Sequence, residues 1–238
     1  MEWLVNAGDV VVPGDELGLI GVGSDVVVRI GPGVRVERQL VVASVAGVVN
    51  IIPSRSKVWV ETNGKRYVPI ADDLVIGTVV ERHSEGYRVD IGSSECATLG
   101  ALEFEGATKR NRPMLNPGAV VYARVVSAQR WTEPELSCTV PGSNRSWVSG
   151  ESTLGELVGG NVIKVSLGTA RSLFVQNEKN VLSVLGEHIS YESAIGYNGR
   201  IWIKAGSVPH SVLVSLAIEN AQALTQDETS RLISSLIH

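Results

Sequence analysis

The stretch Gly196–Ala205 has the sequence GYNGRIWIKA, and it governs how the C-terminal part of the chain is interpreted. Its first four residues form a Gly-x-x-Gly pattern, which clamps a nucleic-acid backbone when it connects two helices. In the residues that follow, Ile201 and Ile203 alternate with polar or bulky neighbours, as in a strand whose two faces differ. The stretch can therefore either bind nucleic acid or turn the chain between two strands.

The segments on either side of this stretch favour the turn. Periodicity predicts helices in 168–176 and 177–188, strands in 190–197 and 200–205, and a helix in 207–224. The order strand, two helices, strand, strand, helix is that of a KH-like α/β domain. A nucleic-acid clamp would lie between the paired helices, and residues 169–186 contain no Gly-x-x-Gly. Asn198-Gly199 is instead predicted to form a tight turn with positive φ at both residues.

Four further expectations concern the helices and the strand of this region. Ser207 is the expected N-cap of the helix in 207–224. Thr225 lies three residues before Glu228, a capping box that predicts a last helix ending near 237. Trp202 is expected to face away from the KH helices and to pack on a neighbouring domain, the alternative being a partly exposed ring. The expected apolar stripe of the 207–224 helix contains Val212, Leu216, Ala217 and Leu224.

Residues 71–143 are rich in short β-branched runs, in 74–83, 86–92, 119–129 and 135–140. About five strands in some 70 residues suit a small closed barrel of the OB type. The spacing of Gly77, Val79, Gly86, Val89 and Ile91 matches the scaffold of an S1 RNA-binding barrel. Two positions that carry base-stacking aromatics in S1 domains are Glu85 and Arg88 here, and residues 95–103 lack the usual histidine. Since stacking contributes about 1–3 kcal/mol per base, this barrel is expected to bind RNA poorly through its usual face.

Residues 1–70 are predicted to be all-β, with a hairpin in which 58–61 and 65–68 flank Asn63-Gly64. The predicted fold class is therefore mainly β with a C-terminal α/β domain. Its parts are a small N-terminal β-domain (1–70), an S1/OB-type five-stranded barrel (71–143) and a KH-like domain (144–238).

Composition and motif searches point away from an enzyme. A net charge of −4 argues against a free-standing, strongly basic nucleic-acid binder, and two isolated cysteines suggest neither a disulfide framework nor a zinc site. We expect no membrane span and no signal peptide. The four histidines are scattered, so no catalytic group, metal site or cofactor is predicted. The adjacent carboxylates Asp72 and Asp73 could hold a metal, although a solvated domain boundary is the favoured interpretation.

One local basic segment contains Lys109, Arg110 and Arg112. Residues 72–143 hold ten acidic and seven basic residues, so three positive charges in four positions are concentrated against an acidic background. The segment is either a solvated loop that carries charge for solubility or a site that follows the phosphates of an RNA strand.

Three stretches together, VDIGSSECATL (89–99), FEGATKRNRP (104–113) and GYNGRIW (196–202), resemble the ribosomal RNA-processing protein 40 family of RNA exosome cap subunits. The resemblance extends over essentially the whole chain. It implies a non-catalytic subunit that sits, with two other S1-containing cap subunits, on a ring of RNase PH-like proteins. Single-stranded RNA would pass toward a separate 3′–5′ exoribonuclease, in the nucleus, including the nucleolus, and in the cytoplasm. It also places the residues Gly196, Asn198, Gly199 and Trp202 at an S1–KH junction. It strengthens the interpretation of Lys109, Arg110 and Arg112 as an RNA-binding site.

Two other functions stay open on sequence alone. The chain could be a stand-alone S1/KH RNA-binding regulator or, with less support, a hydrolytic nuclease. The missing S1 aromatics, the missing KH clamp and the acidic net charge favour the assembly subunit.

Overall fold

The computed structural model describes residues 2–20, 28–62, 64, 66–129, 131–140, 142, 146–149, 152–174, 181–222, 224 and 226–237. The chain divides into two compact units, Met1–Gly64 and Lys65–His238. Within the described residues, no helix has both the length and the apolar character needed to cross a membrane. The predicted fold class, mainly β with a C-terminal α/β domain, is confirmed.

The first unit consists of two four-stranded sheets, with strand orders β1-β3-β6-β5 and β2-β7-β8-β4. Its core is built largely from small β-branched side chains, which suit closely packed short strands. A 3₁₀ turn, Pro53–Arg55, connects the last two strands. The strands are β1 Glu2–Trp3, β2 Val10–Val11, β3 Glu16–Leu19, β4 Arg29–Ile30, β5 Val34–Glu37, β6 Leu40–Ala43, β7 Gly47–Ile52 and β8 Lys57–Glu61.

The hairpin predicted around Asn63-Gly64 is wrong. Strand β8 pairs with β7 and with β4 instead, and residues 66–70 are not a strand. The two segments of the predicted hairpin belong to different hydrophobic cores. Val58 and Val60 are buried in the first unit, whereas Tyr67 packs in the barrel of the second. Asn63 and Lys65 themselves lie outside the described residues.

The second unit begins with a closed barrel of five strands. Four follow one another around the sheet, and β13 closes it by pairing with both β11 and β12. Val79, Val89 and Ile91, the apolar members of the S1-like spacing, are buried in its core together with Leu99. The strands are β9 Leu74–Arg82, β10 Gly86–Asp90, β11 Ala97–Phe104, β12 Val120–Ser127 and β13 Glu135–Cys138, and β14 Gly155–Leu157 extends the β12 edge after the 3₁₀ turn Trp147–Ser149.

The C-terminal part of the second unit is a three-stranded antiparallel sheet with helices on one face. The predicted order of strand, two helices, two strands and helix is confirmed. Ile201 and Ile203 pack against the helices through residues such as Leu185 and Ile218. The elements are β15 Asn161–Lys164, α1 Leu167–Phe174, α2 Val181–His188, β16 Tyr191–Ile195, β17 Arg200–Ala205, α3 Val208–Ala221 and α4 Gln226–Ile237, with sheet order β15-β17-β16.

Helix α3 begins as predicted but buries a different face. The Ser207 hydroxyl accepts a hydrogen bond from His210 N, so the predicted N-cap is confirmed. The predicted apolar stripe is wrong, because only Ala217 of its four members is buried. Val214 and Ile218 fill the core instead. α3 is apolar on more than one side, so contact with the sheet and α4 selects the buried side. Thr225 of the predicted capping box lies outside the described residues.

Candidate nucleic-acid interface and interdomain junction

The Gly-x-x-Gly stretch forms the turn between strands β16 and β17. Gly199 N donates to Gly196 O (3.1 Å), and Gly196 N donates to Arg200 O (2.8 Å). Gly199 has φ +72°, whereas Asn198 is not among the positive-φ residues, so the prediction of positive φ at both positions is wrong. A three-residue loop that ends in one left-handed glycine explains the difference, because it needs only that glycine. A Cβ at Gly199 would lie 2.6 Å from Val165 O.

Asn198 connects this turn to the barrel. Its side chain is buried, and its Oδ1 accepts from Ile76 N (3.2 Å). Its Nδ2 donates to Ile76 O (2.7 Å) and to Ile91 O (2.8 Å). One amide therefore satisfies backbone groups of two barrel segments that would otherwise be buried without partners, which is costly.

Arg200 forms a second polar link across the same contact. Its Nη1 donates to Asp90 O (2.7 Å) and its Nη2 to Asp90 Oδ2 (2.6 Å). The guanidinium is almost entirely buried, while the Asp90 carboxylate is about half exposed. Burial acts to raise the pKa of Asp90, but hydrogen bonds from Arg200 and Gly92 N and the Arg200 charge outweigh it, so the pKa is lowered.

Trp202 occupies the apolar centre of the contact. Its ring is only 6% exposed and packs with Ile76 of the barrel and Ala194 of β16. Its Nε1 donates to Gly159 O (2.7 Å). The Tyr122 hydroxyl adds a hydrogen bond from the barrel to Ile195 O (3.0 Å). The structure thus brings the four junction candidates, Gly196, Asn198, Gly199 and Trp202, together where the barrel meets the C-terminal sheet.

The basic segment lies on the long connection between β11 and β12. Thr108 and Asn111 exchange backbone hydrogen bonds, which places Lys109 and Arg110 at the tip of a tight turn. Arg112 donates from Nη1 to Ser84 O (3.0 Å) in the β9–β10 turn. All three basic side chains are exposed. The structure therefore gathers them at one end of the barrel, beside a second loop.

A buried tyrosine anchors this connection. The Tyr87 hydroxyl donates to Pro113 O (2.5 Å) and accepts from Leu115 N (3.3 Å). The Tyr87 ring meets Phe104 edge to face, with centroids 6.4 Å apart. Because Phe104 precedes the basic turn and Pro113 follows it, both ends of the connection are held by one side chain. Sequence analysis did not single out Tyr87, which occupies the variable position of the S1 pattern.

The usual RNA-stacking face of the barrel carries ion pairs. Arg88 approaches Glu81 (3.7 Å) and Glu133 (3.6 Å), and Glu133 accepts from the Thr98 hydroxyl (3.1 Å). Glu85, at the other position that carries a stacking aromatic in S1 domains, is exposed. A face with two carboxylates around one arginine repels phosphates more than it attracts them.

Comparison with known proteins agrees with this arrangement. A model described as the S1 domain of exosome complex component RRP40 matches residues 67–148, and a KH-domain model matches residues 160–209. A model described as the N-terminal domain of exosome complex exonuclease Rrp40 matches residues 28–66. Exosome complex component rrp40 of Schizosaccharomyces pombe is 35% identical over 229 residues, which cover 94% of this chain and 93% of its own. Exosome complex component RRP40 of Drosophila melanogaster is 40% identical over 214 residues, covering 88% and 87%.

The chain belongs to the RRP40 family of exosome complex components.

A solved structure shares the fold of this RRP40-family chain. A crystal structure described as that of a candidate exosome complex RNA-binding protein superposes with a TM-score of 0.58 at 21% identity. The match covers 72% of this chain and 97% of the other. At this identity, the likeness supports the fold alone.

The adjacent carboxylates Asp72 and Asp73 have separate partners. Asp72 is largely exposed and pairs with Arg124 (2.8 Å). Asp73 accepts from the Tyr67 hydroxyl (2.6 Å), and burial raises its pKa. Within the described residues, no group of three or more His, Cys, Asp and Glu side chains is placed to hold a metal ion.

Sequence analysis also missed three other residues at or beside the junction: Tyr197, Phe174 and Arg200. Tyr197 stacks on Phe174 of α1 with centroids 3.9 Å apart and planes 6° apart, and its backbone N donates to Leu74 O (2.8 Å). Alternation along β17 contained a signal for Arg200, because Arg200 shares a strand face with Trp202. No local pattern identifies Phe174, since its partner lies 23 residues away.

Proposed function

We propose that this protein is a non-catalytic RNA-binding cap subunit of the RNA exosome. It bridges RNase PH-like ring subunits and other S1-containing cap subunits, and it guides single-stranded RNA toward 3′–5′ exoribonucleolytic processing and decay. The observation that carries the proposal is the exposed basic turn of Lys109, Arg110 and Arg112, held at both ends by Tyr87. The names of the RRP40 relatives, exosome complex components, support the assembly.

RNA contact at this turn would be independent of base sequence. Lysine and arginine side chains on an exposed turn meet phosphate oxygens and carry no base readout. The face that stacks bases in other S1 barrels has Glu85 and Arg88 instead of aromatic side chains. RNA binding through so small a site would be weak in the isolated chain and would contribute most where neighbouring subunits supply further contacts.

In this proposal, the N-terminal β-domain is the part of the chain that docks on the ring subunits. Val10 and Val48 are directly paired across β2 and β7, and they are 79% and 40% exposed. Val12, on the same side as Val10, is also exposed. Contiguous exposed apolar side chains on a sheet typically mark a protein interface.

The first experiment separates a subunit from a self-sufficient regulator. The chain is purified alone and with the RNase PH-like ring subunits, and assembled mass is measured by light scattering. We expect a stable hetero-oligomer, and weak binding of a labelled 20-nucleotide RNA by the isolated chain at about physiological salt. Absence of the hetero-oligomer together with tight binding by the isolated chain would favour the regulator.

The second experiment tests catalysis. The purified chain is incubated with 5′-labelled RNA and Mg²⁺, beside a variant with Asp72→Asn and Asp73→Asn. We expect intact RNA in both reactions. Cleavage of the RNA by the wild type but not by the double variant would show that the chain is a hydrolytic nuclease.

Localisation to the nucleus, including the nucleolus, and to the cytoplasm is part of the proposal and rests on the family resemblance. Imaging of a fluorescently tagged chain in cells is the measurement. Restriction to a membrane-bounded compartment other than the nucleus would contradict it.

A further inference from the structure

A groove of about 410 Å³ opens on the barrel, away from the basic turn. Three segments line it: Val68 and Pro69 before β9, residues 93–95 between β10 and β11, and parts of 128–134 between β12 and β13. Its volume falls within the range of about 300–1,000 Å³ that small ligands and anchoring side chains occupy. The described residues assigned to the RNA route and to the S1–KH junction are not among those that line it.

Exposed apolar side chains lie on two of the segments that border this groove. The Trp131 ring is 85% exposed, in a turn whose Thr132 N donates to Gln129 O (3.3 Å). Gln129 and Thr132 both line the groove, so the turn that carries Trp131 borders it. Val68, on the opposite segment, is 71% exposed. Tryptophan is among the residues that contribute most to protein binding, because its large rigid ring loses little conformational entropy.

The charge at the groove selects the class of partner. Glu95 is the one charged residue among its lining residues in the described chain. A nucleic-acid strand would bring its phosphates toward the Glu95 carboxylate, which is unfavourable, whereas lysine or arginine beside an apolar anchor would be attracted.

We propose that this groove binds an extended peptide segment of a partner protein, with one large apolar residue as anchor and Lys or Arg beside it. The anchor fills the space between Trp131 and Val68, and the flanking cation meets Glu95. An extended segment fits because the opening admits one or two side chains and offers no flat area of the size that a folded domain needs.

The experiment selects peptides and then maps where they bind. Phage-displayed random 12-residue peptides are selected on the full-length chain, and the enriched peptides are synthesised with a fluorescent label. Binding is measured by anisotropy for the wild type and for W131A, V68S and E95K. M114A serves as a matched control, because Met114 is an exposed apolar residue that does not line this groove. Since Trp131, Val68 and Glu95 are exposed, melting temperatures should stay near that of the wild type.

We expect enriched peptides that combine one aromatic or large aliphatic residue with neighbouring Lys or Arg. W131A and V68S should each weaken their binding about tenfold, E95K should weaken it through charge repulsion, and M114A should leave it unchanged. Failure to enrich any peptide above background would overturn the proposal, as would enriched peptides that bind W131A and V68S as well as they bind the wild type. A labelled 20-nucleotide oligouridine whose affinity falls in W131A would identify the groove as an RNA site and overturn it too.

Discussion

At the scale of single residues, the junction depends on side chains whose polar atoms reach across two domains. Asn198 uses three hydrogen bonds to occupy backbone groups of Ile76 and Ile91. Arg200 does the same for the Asp90 carbonyl while pairing with its carboxylate. Because the Asn198 amide and the Arg200 guanidinium are buried, removing a partner leaves them unsatisfied, and the cost exceeds that of an exposed hydrogen bond.

Gly199→Ala should destabilise the protein by about 1–3 kcal/mol. The alanine would be held in a left-handed backbone conformation, and its Cβ would lie too close to the Val165 carbonyl oxygen. The measurement is urea unfolding of full-length wild type and variant. Gly186→Ala is the control, because nothing lies within 4 Å of a Cβ there and α2 is helical. Equal stability of wild type and Gly199→Ala would mean that the turn is not constrained.

Trp202→Ala should lower stability by about 3–5 kcal/mol, since a large buried aromatic ring is lost. Its effect should also appear at the contact between barrel and C-terminal sheet. Limited proteolysis between the two domains should become faster than in the wild type. A variant that unfolds at the wild-type denaturant concentration would place the ring outside the packed contact.

The lowered pKa of Asp90 predicts that the stability of the protein depends on pH. A carboxyl group whose pKa is lower in the folded state stabilises the protein above its unfolded value, about 3.9, and the contribution disappears as pH falls through the folded value. The stability difference between wild type and Asp90→Asn should therefore be constant from pH 7 to about 5 and shrink below about 4. Asp72→Asn is the control, because Asp72 forms an exposed pair worth little. A difference that persists unchanged at pH 3 would contradict a charged Asp90–Arg200 interaction.

At the scale of elements, the barrel separates two surfaces of opposite charge. The β9–β10 turn and the β11–β12 connection meet where Arg112 bonds to Ser84, and this end carries the exposed cations. Around Arg88, which stands where S1 domains carry a stacking aromatic, lie the carboxylates of Glu81 and Glu133. RNA approaching the barrel would therefore be attracted to its loops and not to its sheet face.

Replacing Lys109, Arg110 and Arg112 together with Glu should weaken RNA binding by the reconstituted complex. If each contacts one phosphate, the slope of log affinity against log salt should fall by about 2, since single strands contribute about 0.7 per contact. Stability should hardly change, because the side chains are exposed. Lys204→Glu, an exposed lysine on β17, is the control. Wild-type affinity and slope in the triple variant would assign these residues to a solvated loop.

At the scale of the whole molecule, the chain consists of an N-terminal unit and a second unit in which barrel and KH-like domain share a packed contact. The second unit presents the basic turn, and the first presents the exposed valines of β2 and β7. We therefore propose that the first unit docks on the ring and that the second unit guides RNA.

Val10→Glu combined with Val48→Glu should abolish association with the ring subunits while the chain stays folded. The paired carboxylates would face an apolar partner surface and would be buried there without compensation. Co-purification from reconstituted subunits is the measurement, with Val212→Glu on α3 as an exposed control. Deletion of residues 1–64 should have the same effect. Assembly that survives both the double variant and the deletion would place docking elsewhere.

The domain boundaries at 70 and 143 stay predictions. The compact first unit ends at Gly64 and the family models match 28–66, 67–148 and 160–209. Tyr67 illustrates why local composition is a weak guide to such boundaries. Its neighbours resemble a strand of the first domain, and its ring is buried in the barrel.

The sequence by itself determined the order of the strands and helices in the KH-like part of the second unit and the S1-like scaffold of the barrel, because β-branched runs, Ser207 and the S1-like spacing act within a few residues. It also identified Gly196, Asn198, Gly199 and Trp202 as one stretch. Only the tertiary structure decided which side of α3 is buried, that β8 pairs with β7 and β4, and that Arg200, Tyr87 and Phe174 have structural partners. Each of these depends on contacts between residues far apart in the chain, and a periodic pattern with more than one apolar side does not specify which side a distant element will cover.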